Sequence, residues 1–368
     1  MKILSFFKKL DFGILFCLFL LSFLSLLTLY SIGIFKNNFF NFKKQIGFFI
    51  FGFFIMILLS LFDWEFLKEH FFFFLFFYFL SLFLIFFLLL SGSKIRGAKI
   101  WYHWGPFSFD PSEILKISLI FIFASFFSKK HVELYDLKSI FFSILFLIPP
   151  VILLSLQPNL GAFLVIAFIW FSILLVSGIR KKEFLIISFL ALFFFAIAWS
   201  KILLPYQKER IIAFLFPNLS DPLKINWSQK QAKIAIGSAG LLGKGIFEGT
   251  QKKLGFITDP ETDFIFAVFA EEMGFLGVFS LFLIFSILIF RILQISFSHP
   301  SNFVKLFGVG LASQIFIYFF LNISTNIGLS PVVGLPLPFL SYGGSFLISN
   351  FFLLGIFFGM QRKKFKAF

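Results

Sequence analysis

Long apolar runs recur along this chain. The charges, prolines and glycines that interrupt them leave ten stretches, at about 11–34, 46–62, 70–90, 112–128, 139–156, 160–178, 184–204, 264–290, 303–327 and 342–360. Each is close to the roughly 20 residues a helix needs to cross a bilayer, so the expected fold is an all-α polytopic membrane protein of about ten transmembrane helices. The composition agrees. Of 368 residues 60% are hydrophobic and 13% charged, against roughly 45–50% and about 25% in soluble domains, which leaves too little polar surface to coat a water-soluble enzyme.

Phe supplies 70 residues against 6 Trp and 7 Tyr. Aromatic clusters with a function favour Trp and Tyr for their polar handles, so runs such as Phe71-Phe72-Phe73-Phe74 read as lipid-facing filler. Polar residues inside the apolar runs carry more information for that reason. Cys17, the single cysteine, lies mid-span and allows neither an internal disulfide nor a zinc cluster. Met1 to Lys9 and the apolar run to Ile34 begin like a signal peptide, but the run is too long and lacks a small-residue cleavage site, so it reads as an uncleaved first helix. His70, His103, His131 and His299 are scattered through loops or span ends and read as solvated.

With the N-terminus inside, an even number of spans returns the C-terminus to the same side. Sixteen basic residues then fall in inside segments, whereas the short outside segments hold six, namely Lys36, Lys43, Lys44, Lys94, Arg96 and Lys99. Basic residues in short loops face the cytoplasm, so both termini are expected there, in a bacterial plasma membrane. The net charge of +15 is thus mainly a topology signal, and with no soluble basic face a nucleic-acid partner is excluded. No internal repeat suggests the inverted halves of a transporter.

Between about Lys201 and Thr262 the composition changes, with Pro205, Pro217, Pro222 and Gly237, Gly240, Gly243, Gly245 and Gly249. A structureless loop of about 60 residues is improbable, so this extracytoplasmic segment, about 205–263, is expected to form short helices of its own, one ending at Gly237. The whole chain, 1–368, reads as one integral membrane domain.

Charged groups at lipid depth cost about 2.5–3.5 kcal/mol each on insertion scales and mark functional sites. Glu113 and Lys116, three apart at the start of the fourth helix, form either a structural ion pair or part of a substrate site. Asp263 opens the eighth helix where polar loop meets apolar span; partial desolvation there strengthens a carboxylate as a base, although a helix N-cap fits the position equally. Glu271 and Glu272 lie about 12 Å further along, too far to share a proton with Asp263, and either line a polar pocket or pair with a cation across the bundle. Gly240-Leu241-Leu242-Gly243-Lys244-Gly245 permits close backbone approach and its Lys could meet phosphate, but a flexible loop has the same composition. Pro336 to Ser345 breaks helical periodicity, which at membrane depth is tolerated only inside protein or along a wet cavity. No HExxH, P-loop or GxSxG motif occurs.

Taken in order, several strings resemble the SEDS family (shape, elongation, division and sporulation) over nearly the whole chain. They are Gly97-Ala98 with Trp101, Asp110-Pro111-Ser112-Glu113 with Lys116, Gln157-Pro158-Asn159-Leu160-Gly161, Tyr206-Gln207 with Arg210, Gly249-Thr250-Gln251, Thr262-Asp263-Phe264-Ile265-Phe266-Ala267-Val268 and Ser341-Tyr342-Gly343-Gly344-Ser345. Gly249-Thr250-Gln251 and Pro336-Leu337-Pro338-Phe339 favour the elongation branch over the division branch.

The resemblance implies a peptidoglycan glycosyltransferase that polymerises lipid II, carried on undecaprenyl pyrophosphate, at the outer face of the membrane. It further implies a class B penicillin-binding protein as transpeptidase partner within the elongation machinery. It assigns the essential acid to Asp263, and a substrate site to Trp101, Glu113, Lys116, Arg210, Gln231, Lys233, Lys244 and Ser341. The chemistry needs a base for the attacking sugar hydroxyl and cations for the pyrophosphate. Lys116, Arg210, Lys233 and Lys244 are candidates, or a divalent cation such as Mg or Mn. Three positions depart from the family pattern: Ile100 stands for Arg, Asp110 for Gln and Asn159 for Asp. Roles tied to them do not transfer; Arg96 or Lys99 could supply the missing cation. A lipid II flippase and a non-enzymatic scaffold are the competing readings. A flippase needs a polar path through the bilayer, a transferase one poised base at a face.

Overall fold

The computed structural model describes residues 11–62, 65, 70–92, 99–105, 107–129, 137–197, 199–200, 203–216 and 227–364. Met1 to Lys9, Lys94, Arg96, Gly97, Ala98, His131, Lys201, Pro217 and Pro222 lie outside them, as does the side chain of Tyr206.

The helices are α1 (Phe12–Lys36), α2 (Phe40–Ser60), α3 (Phe71–Ser91), α4 (Pro111–Ser128), α5 (Leu137–Leu145), α6 (Ile148–Leu156), α7 (Leu160–Val176) and α8 (Lys181–Ile197). They continue as α9 (Pro205–Leu215), α10 (Trp227–Gly237), α11 (Thr250–Lys253), α12 (Ile265–Phe297), α13 (Asn302–Ile327) and α14 (Gly344–Lys364). Strands β1 (Tyr102–Trp104) and β2 (Phe107–Phe109) form an antiparallel hairpin between α3 and α4.

Among the described residues eight segments are long and apolar enough to cross a membrane, the fifth of them being α5 and α6 taken together across a break before Pro149 and Pro150. Helices α7 and α8, at 17 residues each, bring the number of spans to the ten expected. The long segment before α12 holds α9, α10 and α11, and α10 ends at Gly237 as its sequence predicts.

Caps set several starts. Asp11 Oδ1 accepts from the Ile14 amide at 2.9 Å, Asp110 Oδ1 from Ser112 at 2.8 Å and Asn159 Oδ1 from Ala162 at 3.1 Å. A side-chain oxygen meets an otherwise orphaned amide at each. Asn159 therefore fills a role open equally to Asp, which explains why that departure is tolerated.

Helices α4, α13 and α14 form the buried centre, and much of α1, α2, α3 and α12 faces outward. Phe divides accordingly. Phe72, Phe83 and Phe279 point away from the protein, whereas Phe121, Phe303 and Phe307 are buried, and Phe74 stacks on Phe121 at 3.6 Å. The abundance of Phe is thus part filler and part core. His299 departs from the solvated reading: it is buried, and its Nδ1 accepts from the Ser301 amide at 3.1 Å.

Candidate functional site

Asp263 sits in the turn that leads into α12. The N-cap is Phe264, whose side chain makes no capping bond, so the capping reading of Asp263 falls away. What holds the turn comes from distant segments. Asn322 Nδ2 and Asn326 Nδ2, on α13, each donate to the Asp263 main-chain carbonyl at 3.0 Å. Asn326 Oδ1 accepts from the Ala267 amide at 3.2 Å, and Asn322 Nδ2 also donates to Leu335 at 2.7 Å. Ser341 Oγ donates to the Thr262 carbonyl at 2.6 Å and accepts from the Leu337 amide at 2.8 Å. The Tyr342 amide donates to the Glu261 carbonyl at 2.8 Å, and the Glu261 carboxylate pairs with Lys36 at 3.1 Å.

Of the irregular segment from Leu329 to Gly343, the part from Leu335 to Ser341 packs in protein, as its breaks in periodicity require. Leu337, Phe339 and Leu340 are buried, and Phe339 is held at φ 58°. Ser25 Oγ donates to the Leu340 carbonyl at 2.7 Å and Gln45 Nε2 to that of Ser341 at 3.2 Å, so α1 and α2 satisfy backbone that no helix pairs. Gly334, at φ 74°, faces the acid: a Cβ there would lie 3.5 Å from Asp263 Oδ2, in van der Waals contact with the carboxylate.

Two cations flank this turn. Arg210 Nη1 donates to the Val332 carbonyl at 3.2 Å, two residues from Gly334. Lys233 is exposed on α10 and runs past Gly328, the left-handed cap of α13, and among the described residues it makes no hydrogen bond or ion pair. Gln229, one turn earlier on α10, donates to the Thr325 and Ser330 carbonyls at 2.8 Å each and so ties α10 to the end of α13. Gln231 is buried on α10, and Trp101 is half-buried before β1.

A second cluster lies deeper. Lys116, 1% exposed, pairs with Glu113 Oε1 at 2.6 Å and donates to the Tyr318 hydroxyl, while Ser349 Oγ donates to Glu113 Oε2 at 2.7 Å. The expected ion pair thus joins α4, α13 and α14. Gln314, Tyr318, Asn322 and Asn326 are spaced four apart and all buried, so one stripe of α13 carries polar groups from the bundle centre to the Asp263 turn. Asp110, outside the span, is pushed up to about 6 by burial and by the neighbouring Glu113 carboxylate, against the opposing pull of Lys116.

A third cluster assigns the adjacent glutamates. Glu271 Oε1 accepts from Lys244 Nζ at 2.8 Å and from the Thr250 and Gln251 amides at 2.8 and 3.0 Å, and Glu272 pairs with Lys252 and Ser31. Each carboxylate therefore meets a loop cation. The expected unbroken helix at 264–290 is interrupted at Gly274 (φ 66°, ψ −166°). Glycine-rich loop backbone mends the break: the Lys244 and Gly245 amides donate to the Glu271 and Glu272 carbonyls at 2.9 and 3.2 Å, and the Phe275 and Leu276 amides donate to Gly240 and Leu241 at 3.0 and 3.1 Å. The Lys244 and Gly245 amides are thus spent on α12, which counts against a phosphate cradle there. Lys99 Nζ donates to the Leu89 carbonyl at 2.8 Å, so its cation caps α3.

Asn322, Asn326, Tyr318 and Gln229 were not singled out in the sequence. For Tyr318, Asn322 and Asn326 the signal was there, as polar residues at four-residue spacing within an apolar span; Gln229, on the polar helix α10, gave none.

A mostly helical bundle of apolar spans with a buried polar centre and an acid-bearing turn defines a multi-pass integral membrane protein. The chain belongs to the cell cycle protein family of FtsW, RodA and SpoVE, whose model matches residues 8–366. It is 38% identical over 257 residues to the peptidoglycan glycosyltransferase MrdB of Escherichia coli (strain K12), covering 70% of this chain and 69% of that one. It is 34% identical over 268 residues to the stage V sporulation protein E of Bacillus subtilis (strain 168), covering 72% of each. Among solved structures, a chain of a peptidoglycan synthase complex that coordinates polymerization and crosslinking superimposes with a TM-score of 0.81 at 28% identity, covering 97% of this chain and 99% of that one. The rod shape determining protein RodA of Thermus thermophilus superimposes with a TM-score of 0.70 at 26% identity, covering 97% and 98%. The SEDS resemblance and the helical membrane fold are thereby borne out.

Proposed function

We propose that this chain is a peptidoglycan glycosyltransferase that polymerises lipid II into glycan strands at the outer face of the plasma membrane during elongation, with both termini in the cytoplasm and a class B penicillin-binding protein as its transpeptidase partner. The observation that carries the reading is the Asp263 turn: its backbone is held by buried side chains of α13 and of the 329–343 segment, and its carboxylate lies beside a glycine.

Asp263 takes the proton of the attacking sugar hydroxyl as the new glycosidic C–O bond forms at the anomeric carbon. The bond from that carbon to the pyrophosphate oxygen breaks, and its electron pair leaves with undecaprenyl pyrophosphate. Arg210, bonded to the Val332 carbonyl, and Lys233, beside Gly328, are the cations assigned to receive that charge. Lys116, Glu113, Lys244 and Ser341 act by holding the site, since each is engaged within the protein. Among the described residues no three His, Cys, Asp or Glu side chains form a metal-ligating group, and no step here runs through a divalent cation.

A flippase would need a wet path across the bilayer. The polar stripe of α13 is buried and largely bonded within the protein, which favours the transferase. Purified Asp263→Asn protein, supplied with lipid II and the partner, is expected to form no glycan strands while still inserting and folding. Full polymerisation by this variant would refute the assignment of the base.

A further inference from the structure

The β1–β2 hairpin does not take part in the site described above. Its register pairs Tyr102 with Phe109, His103 with Ser108 and Trp104 with Phe107. Because side chains alternate across a strand, Tyr102, Trp104, Phe107 and Phe109 share one face, and His103 and Ser108 occupy the other. Trp104 stacks against Tyr102 at 5.9 Å and Phe109 at 6.4 Å, yet Trp104 and Phe107 remain 66% and 58% exposed.

Two helices report how deep this hairpin sits. Tyr102 donates its hydroxyl to the Leu84 carbonyl at 2.7 Å, and Leu84 is seven residues before the end of α3, about 10 Å below it at 1.5 Å per residue. Phe107 lies 6.5 Å from Phe48, which is eight residues inside α2, about 12 Å from its start. Helix α3 has 21 residues and no charge, so its length matches the ~30 Å hydrocarbon core and its end lies near the boundary with the headgroups. The hairpin is therefore folded down along the flank of the bundle. On the same half of α3, Phe83, Phe86, Phe87 and Leu90 are likewise exposed. Lys44, four residues into α2, stands over the Phe107 ring at 5.9 Å, and its long side chain can carry the ammonium toward the polar boundary.

We propose that this hairpin binds the bilayer itself, with Trp104 and Phe107 inserted at the boundary between headgroups and acyl chains and the His103–Ser108 face turned to water. Amphipathic aromatic rings favour that boundary. The inference concerns depth and holds whichever leaflet the hairpin enters, so it stands apart from the proposed activity.

The test uses the full-length protein in vesicles of phosphatidylcholine brominated either near the glycerol end or near the methyl end of the acyl chains. The Trp104 signal is the difference between wild type and Trp104→Phe. Most of it is expected to be lost in the lipid brominated near the glycerol end, with a smaller loss in the other. Tyr102→Phe, which removes the bond to Leu84 but keeps every ring, is expected to weaken that quenching. Thermal unfolding followed by circular dichroism checks that both variants fold. Emission that ignores both lipids and yields to aqueous acrylamide would overturn the proposal, as would shielding that appears only when a protein partner is added.

Discussion

Asn326 Nδ2 lies 3.0 Å from the main-chain carbonyl oxygen of Asp263, and the same side chain's Oδ1 receives the Ala267 amide at 3.2 Å. One buried amide therefore bridges the turn that carries the acid and the first turn of α12. Asn322 adds a second bond to the same carbonyl. Replacing either by Ala takes one of two donors from the Asp263 carbonyl, and Asn322→Ala also takes the donor of the Leu335 carbonyl, at about 1–3 kcal/mol. Loss of that hold is expected to lower turnover about tenfold, with KM little changed, because the base loses its position rather than the substrate its contacts. Steady-state polymerisation of lipid II by Asn322→Ala and Asn326→Ala checks this; an unchanged rate in both would show that the turn holds without them.

The break in α12 makes a separate prediction. Gly274 adopts φ 66° and ψ −166°, a conformation open essentially to glycine alone, and a Cβ on it would collide with the Gly243 amide. Gly274→Ala is expected to cost about 1–3 kcal/mol and lower the unfolding midpoint in detergent. Gly243, at φ 81°, faces the same contact, so Gly243→Ala should act similarly and the double variant should fall short of the sum. Differential scanning fluorimetry of the three variants measures it.

The buried pair on α4 allows a cycle. Lys116→Met leaves the Glu113 carboxylate buried opposite no cation, an imbalance worth about 3–5 kcal/mol. Adding Glu113→Gln removes the uncompensated charge and should restore most of the stability. If Lys116 only holds the bundle, activity returns with stability; activity still absent in the stable double variant would mean that Lys116 meets substrate. Thermal midpoint and polymerisation rate, measured on the same samples, separate the two.

Asp110 supplies a pH dependence. Its carboxyl is pushed up to about 6, chiefly by burial, from an ordinary 3.8. The folded protein therefore holds this proton more tightly than the unfolded chain, so the group favours folding at low pH. Its contribution is lost as pH rises from about 4 to about 6. The full shift would equal about 3 kcal/mol, but the side chain keeps some contact with solvent, and about 1 kcal/mol is expected after screening. Asp110→Asn keeps an acceptor for the Ser112 amide and removes the charge. It should match wild type at pH 4 and exceed it in thermal midpoint at pH 7.

Local chemistry made much of this protein legible. Apolar length defined the spans, since a helix must be long enough to cross hydrocarbon. The caps at Asp11 and Asn159 and the stop at Gly237 follow from neighbouring residues alone. The Glu113–Lys116 pair could be read because its partners lie three apart on one helix. Asp263 could be picked out as an acid at the edge of a span, but whether it capped the helix or faced a site could not. That depended on Asn322, Asn326 and Gly334, which are about 60–70 residues away and meet it only when α13 packs beside α12. The same holds for the glycine loop: its composition fits a phosphate cradle, a flexible linker or a plug for a broken helix equally well. Only the packing of residues 240–245 against Gly274 decided among them, because a backbone amide gives no sign in the sequence of which distant carbonyl it will meet.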